Sequence, residues 1–298
     1  MSVPPHANDS TMDDLIRYAL FSRLAYFDYD ITTDDLCVLG HDQCFDKVHF
    51  IDKPDTQLWV FEDNTREELV IAFRGSDSMG DLLVNLCITP QDFVIPGHGT
   101  CHGGHMKCYK AVRNDVMFHV TNYVQRGGHT VTVCGHSLGG TCACIAALEI
   151  ALLTQLKVRC YSYGALAFAD PMFNTSFKTH VPHSYRIAHK EDFAPAMPMI
   201  LYKHDDTAHS CVYIDSGPKR QNNPLARLHA MHYIRHHSIE SYIAGLRQLS
   251  KRTVTPHNKL KPYKGKVRAT VVSKSPVFNH DHVCRYPARP RAMFHATP

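Results

Sequence analysis

The sequence predicts an α/β domain with a mainly parallel central sheet wrapped by helices. Three observations lead to this prediction. Short β-branched and apolar runs alternate with helical patterns between about residues 57 and 247, which is the order that parallel β-α-β units need. A strand-like run, a glycine-flanked turn and an Ala-rich helical run follow one another at residues 129–153. The 298 residues, 44% of them hydrophobic, are enough for one large core.

The predicted elements follow in order along the chain. Residues 12–27 have helical apolar periodicity, with Asp13 and Asp14 suited to a first turn. Residues 57–62 and 68–73 have strand-like patterns and predict an antiparallel hairpin. The same reasoning predicts a helix over 107–124, a strand over 131–134, a helix after Ser137, strands over 158–163 and 184–188, and a helix over 234–246.

The N-terminus and the cysteines bear on where the protein works. The first residues, MSVPPHANDSTMDDL, have neither a basic n-region nor an apolar h-region. The eleven cysteines are odd in number, and several lie in apolar segments instead of at disulfide-framework spacings. We therefore expect reduced thiols and a cytoplasmic location, with peripheral attachment to membranes or lipid droplets left open.

The charge divides the chain into two parts. Residues 251–298 contain eleven Lys and Arg residues and one acidic residue, whereas residues 1–250 carry a small excess of acidic residues. We expect residues 1–250 to form the α/β domain and residues 251–298 to form a basic, Pro- and Lys-rich C-terminal tail. The tail is interpreted either as a solvated extension or as an electrostatic contact with an anionic membrane.

The sequence VTVCGHSLGGTC at residues 131–142 contains the pattern G-x-S-x-G around Ser137. It stands between a β-branched run and a helical run, which is the context in which this pattern marks a nucleophilic serine. The sharp turn requires small neighbours, here Gly135 and Gly139. A helix that begins directly behind the serine would point its N-terminal N–H groups at the reaction site.

A serine nucleophile needs a histidine and a carboxylate, which follow it along the chain in folds of this kind. The candidate acids are Asp170, Glu191 and Asp192. Asp170 precedes Pro171 and is more typical of a turn start. We favour Asp192, because the rigid, Pro-containing loop after it could fix a buried carboxylate, and we expect Glu191 to be exposed.

The histidine is less determined, because the chain contains 22 of them. The late segment HAMHYIRHHSIESY offers four candidates, namely His229, His232, His236 and His237. Position along the chain leaves His236 and His237 about equally favoured.

Five blocks in order make the chain resemble the fungal-type (class 3) lipase family of the α/β-hydrolase superfamily. They are AFRGSDSMGDLLVNL, CHGGHMKCY, GHSLGG, RIAHKEDFAPAMP and HSIESYI. The resemblance implies the α/β-hydrolase fold, places the acid at Asp192 and selects His237 as the histidine. The sequence departs from the family at three places. The segment GALAFAD lacks the proline and arginine that are usual there, and the acid loop has Ala194 where valine is usual. Leu82 occupies the position at which the lid usually has a tryptophan.

The reaction also needs donors for the oxyanion. One should be the backbone N–H of Leu138, the residue after the nucleophile. The resemblance puts the second donor at Ser76, in the loop after the strand over residues 68–73. The mixed apolar and polar segment at residues 77–97 is expected to form a mobile lid over an acyl pocket.

We therefore expect a lipase that cleaves acylglycerol or related lipid esters at a lipid–water interface through an acyl-enzyme on Ser137. No cofactor or metal and no nucleic-acid partner are expected. The alternatives are an esterase for small soluble esters and a catalytically silent lipid-binding protein. A zinc site within HGTCHGGHMKC (residues 98–108) was also weighed, although the usual C-x2-C pairs are absent from it.

Overall fold

The computed structural model describes most of the chain up to residue 253. The described residues are 12–27, 45–64, 66–76, 89–190, 192, 194–196, 202, 205, 208–214 and 236–253. The predicted basic tail lies outside them, except for its first three residues.

A seven-stranded sheet forms the centre of the molecule. Its strands, in chain order, are β1 (Phe45–Lys53), β2 (Thr56–Asp63), β3 (Glu68–Phe73), β6 (Thr130–His136), β7 (Lys157–Tyr163), β8 (His183–His189) and β9 (Ser210–Ile214), and this is also their order across the sheet. The first three strands pair antiparallel, and every pair from β3 to β9 is parallel. The predicted hairpin and the mainly parallel sheet are both confirmed.

Two further strands and five helices complete the described fold. Strands β4 (Pro90–Asp92) and β5 (Thr100–His102) form a separate antiparallel pair. The helices are α1 (Met12–Leu24), α2 (Gly103–Gln125), α3 (Leu138–Leu153), α4 (Pro171–His180) and α5 (Ile239–Thr253). None of the helices in the described part of the chain is long and apolar enough to cross a membrane.

The alternating side chains of β3 show how the two hydrophobic layers arise. Because successive side chains of a strand point to opposite faces, Leu69, Ile71 and Phe73 pack with the helices α2 and α3. Val70 and Ala72 instead pack with α1 and α5 on the other face. The sheet is therefore covered on both faces, as a mainly parallel sheet requires.

Helix α4 starts where Asp170 was expected to start a turn. The Asp170 carboxylate accepts hydrogen bonds from the N–H of Phe173 (2.7 Å) and from the N–H and hydroxyl of Thr100 (2.8 Å each). Pro171 occupies the first helical turn, where its missing N–H costs nothing. Asp170 is thus an N-cap that also ties the helix to β5.

A buried polar network attaches α1 to the edge of the parallel part of the sheet. Arg17 donates to Asp63 (2.5 Å) and lies 3.5 Å from Glu68. Tyr18 and Thr132 also donate to Glu68, at 2.8 Å each. All three charged side chains are almost completely buried, so the network is stable only while every charge keeps its partner.

We expect Arg17→Met to lower the free energy of unfolding by about 3–5 kcal/mol, because it leaves two buried carboxylates without their cation. The comparison variant is Arg66→Met. The Arg66 side chain is 41% exposed and forms an ion pair with Asp14 at 2.7 Å, so its loss should cost less than about 1 kcal/mol. Urea denaturation of the two variants provides the test, and equal losses would contradict the assigned importance of the buried network.

Candidate active site

Ser137 lies in a sharp turn between β6 and α3. Its backbone has φ 57° and ψ −125°, a conformation that L-residues adopt only under constraint. The Ser137 N–H donates to the carbonyl oxygen of Tyr163 at 2.9 Å, which fixes the turn against β7. A Cβ on Gly139 would overlap the carbonyl oxygen of Phe73, and one on Gly135 would overlap the backbone of Gly139. The glycines of the motif are therefore required by close backbone contacts.

The three predicted residues of the nucleophile system lie together at the carboxyl ends of the parallel strands. His237 Nε2 is 2.8 Å from Ser137 Oγ, and His237 Nδ1 is 2.8 Å from Asp192 Oδ2. The exposed fractions are 3% for Ser137, 2% for Asp192 and 6% for His237. The structure thus joins residues 137, 192 and 237 into one continuous chain of hydrogen bonds that is largely shielded from water.

The Asp192 carboxylate is held by two donors besides His237. The N–H of Ala194 donates to Oδ1 at 2.9 Å, and the hydroxyl of Tyr242 donates to Oδ2 at 2.6 Å. Tyr242 in turn accepts the N–H of His189 at 3.2 Å. Burial and the nearby Asp192 charge raise the pKa of Tyr242 well above its ordinary value, so the hydroxyl keeps its proton and remains a donor.

The alternatives for the acid and the histidine lie elsewhere. Asp170 caps α4 and bonds to Thr100, and Glu191 lies outside the described residues. The ring centre of His236 lies 5.0 Å from that of His189, whereas His237 is the histidine that contacts Ser137. The histidine that lies between Ser137 and Asp192 is therefore His237, the one selected by the family resemblance.

The two predicted oxyanion donors belong to the helix start directly after Ser137 and to a loop that approaches the turn. Leu138 is the first residue of α3, and the first N–H groups of a helix have no partner within it. Ser76 follows Gly75, whose α-carbon lies so near the turn that a Cβ there would be 3.3 Å from Ser137 Cβ. Arg74 braces this loop, since its guanidinium donates to the Gln57 side chain at 2.5 Å.

Three side chains beside the site were missed by the sequence reasoning. Tyr26 and His136 are joined by a 2.7 Å hydrogen bond, and Tyr242 holds Asp192. His136 and Tyr242 do belong to the motifs GHSLGG and HSIESYI, which was a usable signal. Tyr26 belongs to no motif that was used, because its position depends on how α1 packs against the sheet.

The predicted lid at residues 77–97 is only partly described. Within the described part, β4 pairs with β5, and the N–H of Phe93 donates to the carbonyl oxygen of Gly99 at 3.0 Å. The Phe93 side chain is buried, with its ring 5.5 Å from that of Phe173. The expectation of a mobile lid is therefore wrong for residues 89–97, which form an anchored hairpin. Residues 77–88 lie outside the described part of the chain.

The histidines and cysteines of residues 98–108 do not converge on one point. His98 forms a hydrogen bond with Ser176 Oγ at 2.6 Å, whereas the rings of His102 and His105 lie tilted to each other with their centres 4.4 Å apart. Burial lowers the pKa of His102, and it lowers that of His105 to about 3. Within the described residues, no group of three or more His, Cys, Asp or Glu side chains could hold a metal ion. The zinc interpretation gains no support from this segment.

The comparisons with known proteins identify lipases as the proteins that this chain resembles. The family profile for class 3 lipases matches residues 70–202, which include Ser76, Ser137 and Asp192 but end before His237. The chain is 29% identical over 161 residues to a secreted mono- and diacylglycerol lipase 2 of Gibberella zeae, covering 44% of this chain and 40% of that protein. It is 30% identical over 151 residues to a lipase of Rhizomucor miehei, covering 48% and 41%. The chain thus spans less than half the length of these relatives.

Solved structures match over a larger part of the chain. A triacylglycerol lipase with a serine-protease-like triad superposes with a TM-score of 0.59 at 23% identity, covering 69% of this chain and 80% of that one. A lipase from Rhizopus microsporus var. chinensis gives a TM-score of 0.60 at 22% identity, covering 70% and 75%. At these identities the likeness establishes the fold, and it confirms the predicted α/β-hydrolase architecture.

The relatives correct the expected location. Proteins of Gibberella zeae and Penicillium cyclopium that match this chain are named as secreted lipases. This points to an extracellular location, so the expected cytoplasmic location is wrong. The argument from cysteines fails because buried thiols occur wherever a core has room for them: among the described residues seven cysteines are free, and five of these are buried.

The order of the five sequence blocks, the fold and the relatives all lead to one assignment. Over residues 70–202 the chain matches the class 3 lipase family, and the resemblance to fungal-type lipases of the α/β-hydrolase fold is confirmed over this part.

Proposed function

We propose that the protein is a serine carboxylic-ester hydrolase that acts on acylglycerols or related lipid esters. The observation that carries the proposal is the hydrogen-bonded chain from Ser137 through His237 to Asp192, with 2.8 Å at each of its two contacts. We assign the catalytic roles to these three residues and the oxyanion donors to Ser76 and Leu138. The hydrolase domain is assigned to residues 1–250 and the basic extension to residues 251–298.

The proposed mechanism follows from the atoms that lie in contact. His237 Nε2 accepts the hydroxyl proton of Ser137 while Oγ attacks the acyl carbonyl carbon. Asp192, bonded to Nδ1, keeps the histidine ring oriented and stabilises the imidazolium that forms. The imidazolium then protonates the departing alcohol and leaves an acyl-enzyme on Ser137. Water, activated by the same histidine, releases the fatty acid.

The tetrahedral intermediate carries a negative charge that fixed donors must stabilise. The N–H of Leu138 lies at the N-terminal end of α3, where the helix dipole adds to the effect. The 74–76 loop approaches the turn at Ser137, because a Cβ on Gly75 would be 3.3 Å from Ser137 Cβ, and this closeness supports Ser76 as the second donor. One such donor is worth on the order of 3 kcal/mol of barrier.

The relatives support the proposed class of substrate. Their names refer to mono- and diacylglycerols, and a structural neighbour is a triacylglycerol lipase. Another neighbour is a fungal lipase–inhibitor complex described as a model for interfacial activation. We propose that fatty acyl esters of glycerol at a lipid–water interface are the substrates. A possible contact of the basic tail with anionic lipid remains part of the proposal.

We expect Ser137→Ala to lower kcat for ester hydrolysis by about 10⁶-fold, because the nucleophile is lost. Purified wild type and variant are assayed on p-nitrophenyl esters of increasing chain length, below and above the concentration at which the substrate aggregates. Faster hydrolysis of long chains and of aggregates supports the lipase proposal. A preference for short soluble esters would support the small-ester alternative, and equal inactivity of both proteins would leave a lipid-binding role.

We expect Asp192→Asn to lower kcat by about 10⁴-fold, because an amide cannot hold His237 in the tautomer that accepts the serine proton. The matched control is Asp170→Asn, at the other aspartate considered from the sequence. Asparagine still caps the helix through its amide oxygen, but it loses the acceptor for the N–H and hydroxyl of Thr100. The variant should therefore lower the free energy of unfolding by about 1–3 kcal/mol and leave kcat within twofold. The opposite ranking of the two variants in kcat would refute the choice of acid.

Tyr242→Phe is expected to lower kcat about tenfold and to leave KM within twofold, because Asp192 loses one of its three donors and holds His237 less firmly. The matched control is Tyr18→Phe. Tyr18 is also a buried tyrosine bonded to a carboxylate, but its partner is Glu68, in the network below α1. The Tyr18→Phe variant should have a lower free energy of unfolding and an unchanged kcat. Equal kcat values for the two variants would exclude a role for Tyr242 in positioning the acid.

A further inference from the structure

Tyr26 reaches the active-site edge from the end of the first helix. It follows α1 in a turn, where its N–H donates to the carbonyl oxygen of Arg23 at 3.0 Å. Its hydroxyl is 2.7 Å from His136 Nδ1. A Cβ on Gly75 would overlap the same hydroxyl, so Tyr26 also touches the loop that carries Ser76. One hydroxyl group therefore contacts both the oxyanion loop and the residue before the nucleophile.

His136 lies between Tyr26 and the catalytic histidine. Its ring centre is 4.8 Å from that of His237 and 5.7 Å from that of Tyr242. The ring is buried. Burial first, and then the neighbouring His237, lower the pKa of His136 well below its ordinary value. The imidazole is therefore neutral at neutral pH and carries a single N–H.

The surroundings of the ring determine which nitrogen carries this proton. His136 Nε2 is buried and has no hydrogen-bond partner within normal distance among the described residues. The 2.7 Å contact between the Tyr26 hydroxyl and Nδ1 needs one donor and one acceptor. When the hydroxyl donates to the Nδ1 lone pair, the single proton of the neutral ring is on Nε2.

We propose that Tyr26 and His136 form a positioning pair, in which the Tyr26 hydroxyl donates to His136 Nδ1 and fixes a neutral, Nε2-protonated imidazole against His237. This inference rests on the proposed hydrolase function and adds two residues to it. Neither is a catalytic residue, since both act through His237 and through the spacing between the 74–76 loop and the turn at Ser137.

The electrostatics of the reaction explain why such a pair is useful. His237 becomes an imidazolium when it accepts the Ser137 proton. A second positive charge with its ring centre 4.8 Å away would oppose that transfer. A neutral His136 of fixed tautomer avoids this repulsion. It also stays packed against His237 without rearrangement when the His237 ring becomes charged. The hydrogen bond from the Tyr26 hydroxyl selects the Nε2-protonated tautomer of His136, and burial keeps the ring neutral.

The kinetic test compares variants at both members of the pair. Tyr26→Phe keeps the ring and removes the donor, so kcat should fall about tenfold while KM stays within twofold. His136→Asn keeps an acceptor at the position of Nδ1 and should retain kcat within threefold. His136→Leu removes the acceptor and should match Tyr26→Phe. The double variant Tyr26→Phe/His136→Leu should be no slower than His136→Leu, because the two residues act as one unit.

Tyr18→Phe serves as the matched control in α1, since its hydroxyl bonds to Glu68, away from the site. Its kcat should equal that of the wild type. An unchanged kcat in Tyr26→Phe would overturn the proposal. So would equal losses in His136→Asn and His136→Leu, or a double variant whose loss is the product of the two single losses.

A spectroscopic measurement tests the pairing without any turnover. In protein with ¹⁵N-labelled histidine at pH 7.5, the resonance that disappears in His136→Asn should show a protonated Nε2 and an unprotonated Nδ1. In Tyr26→Phe it should shift toward the other tautomer or a mixture. An Nδ1-protonated ring in the wild type would overturn the proposal. If the wild type hydrolyses no ester, the proposed function fails, and with it the role of the pair. If Ser137→Ala alone abolishes hydrolysis and Tyr26→Phe changes nothing, only the pair fails.

Discussion

The backbone conformation of Ser137 is the constraint on which the rest of the site depends. A φ of 57° places the side chain at the tip of a turn, above the carboxyl ends of the strands. The strain is of order 1–3 kcal/mol, and it persists because β6 on one side and α3 on the other are both fixed by the core. The hydrogen bond from the N–H of Ser137 to the carbonyl oxygen of Tyr163 closes the turn. Catalytic geometry is thus a consequence of how a strand passes into a helix.

The helix behind the nucleophile is held by a buried charge. Glu149 of α3 is completely buried; it accepts the hydroxyl of Tyr109 at 2.5 Å and the Nε–H of Arg113 at 2.7 Å, both from α2. A buried carboxylate with these partners ties the two helices in one register, since any shift would leave it unpaired. The same principle applies to Asp192, whose three donors come from the acid loop, from the turn at His237 and from α5. Buried carboxylates therefore position both the helix and the acid.

Sequence patterns predicted the elements whose formation depends mainly on residues that are neighbours in the sequence. The β3 alternation, the turn at Ser137 and the apolar run of α3 depend on neighbours in sequence, and their predictions are confirmed. Strands β1 and β9 were not predicted. Residues 45–53 contain charged residues at both ends, and residues 210–214 are short, so both need a partner strand to be recognised. Helix α4 was missed because Pro171 was interpreted as a turn signal and not as the first helical residue.

The site residues also divide into those predicted from local sequence patterns and those that depend on contacts between distant parts of the chain. Ser137 follows from its motif, and Asp192 from its Pro-containing loop. His237 needed the family resemblance, because sequence position leaves two adjacent histidines equal. The structure distinguishes the two by their contacts, since the ring of His236 lies beside that of His189 while His237 forms a hydrogen bond with Ser137. Tyr26 could not be predicted at all, because its contact with His136 joins residues 110 positions apart, and only the packing of α1 brings them together.

The central claim, that Ser137 is an activated nucleophile, is tested most directly by a single covalent labelling measurement. The purified protein is incubated with a fluorophosphonate or p-nitrophenyl phosphonate ester, and the adduct is located by peptide mass spectrometry. The account predicts one phosphonyl group per chain, on the peptide that contains Ser137. A label on another residue, or no label while a control hydrolase reacts, would contradict it.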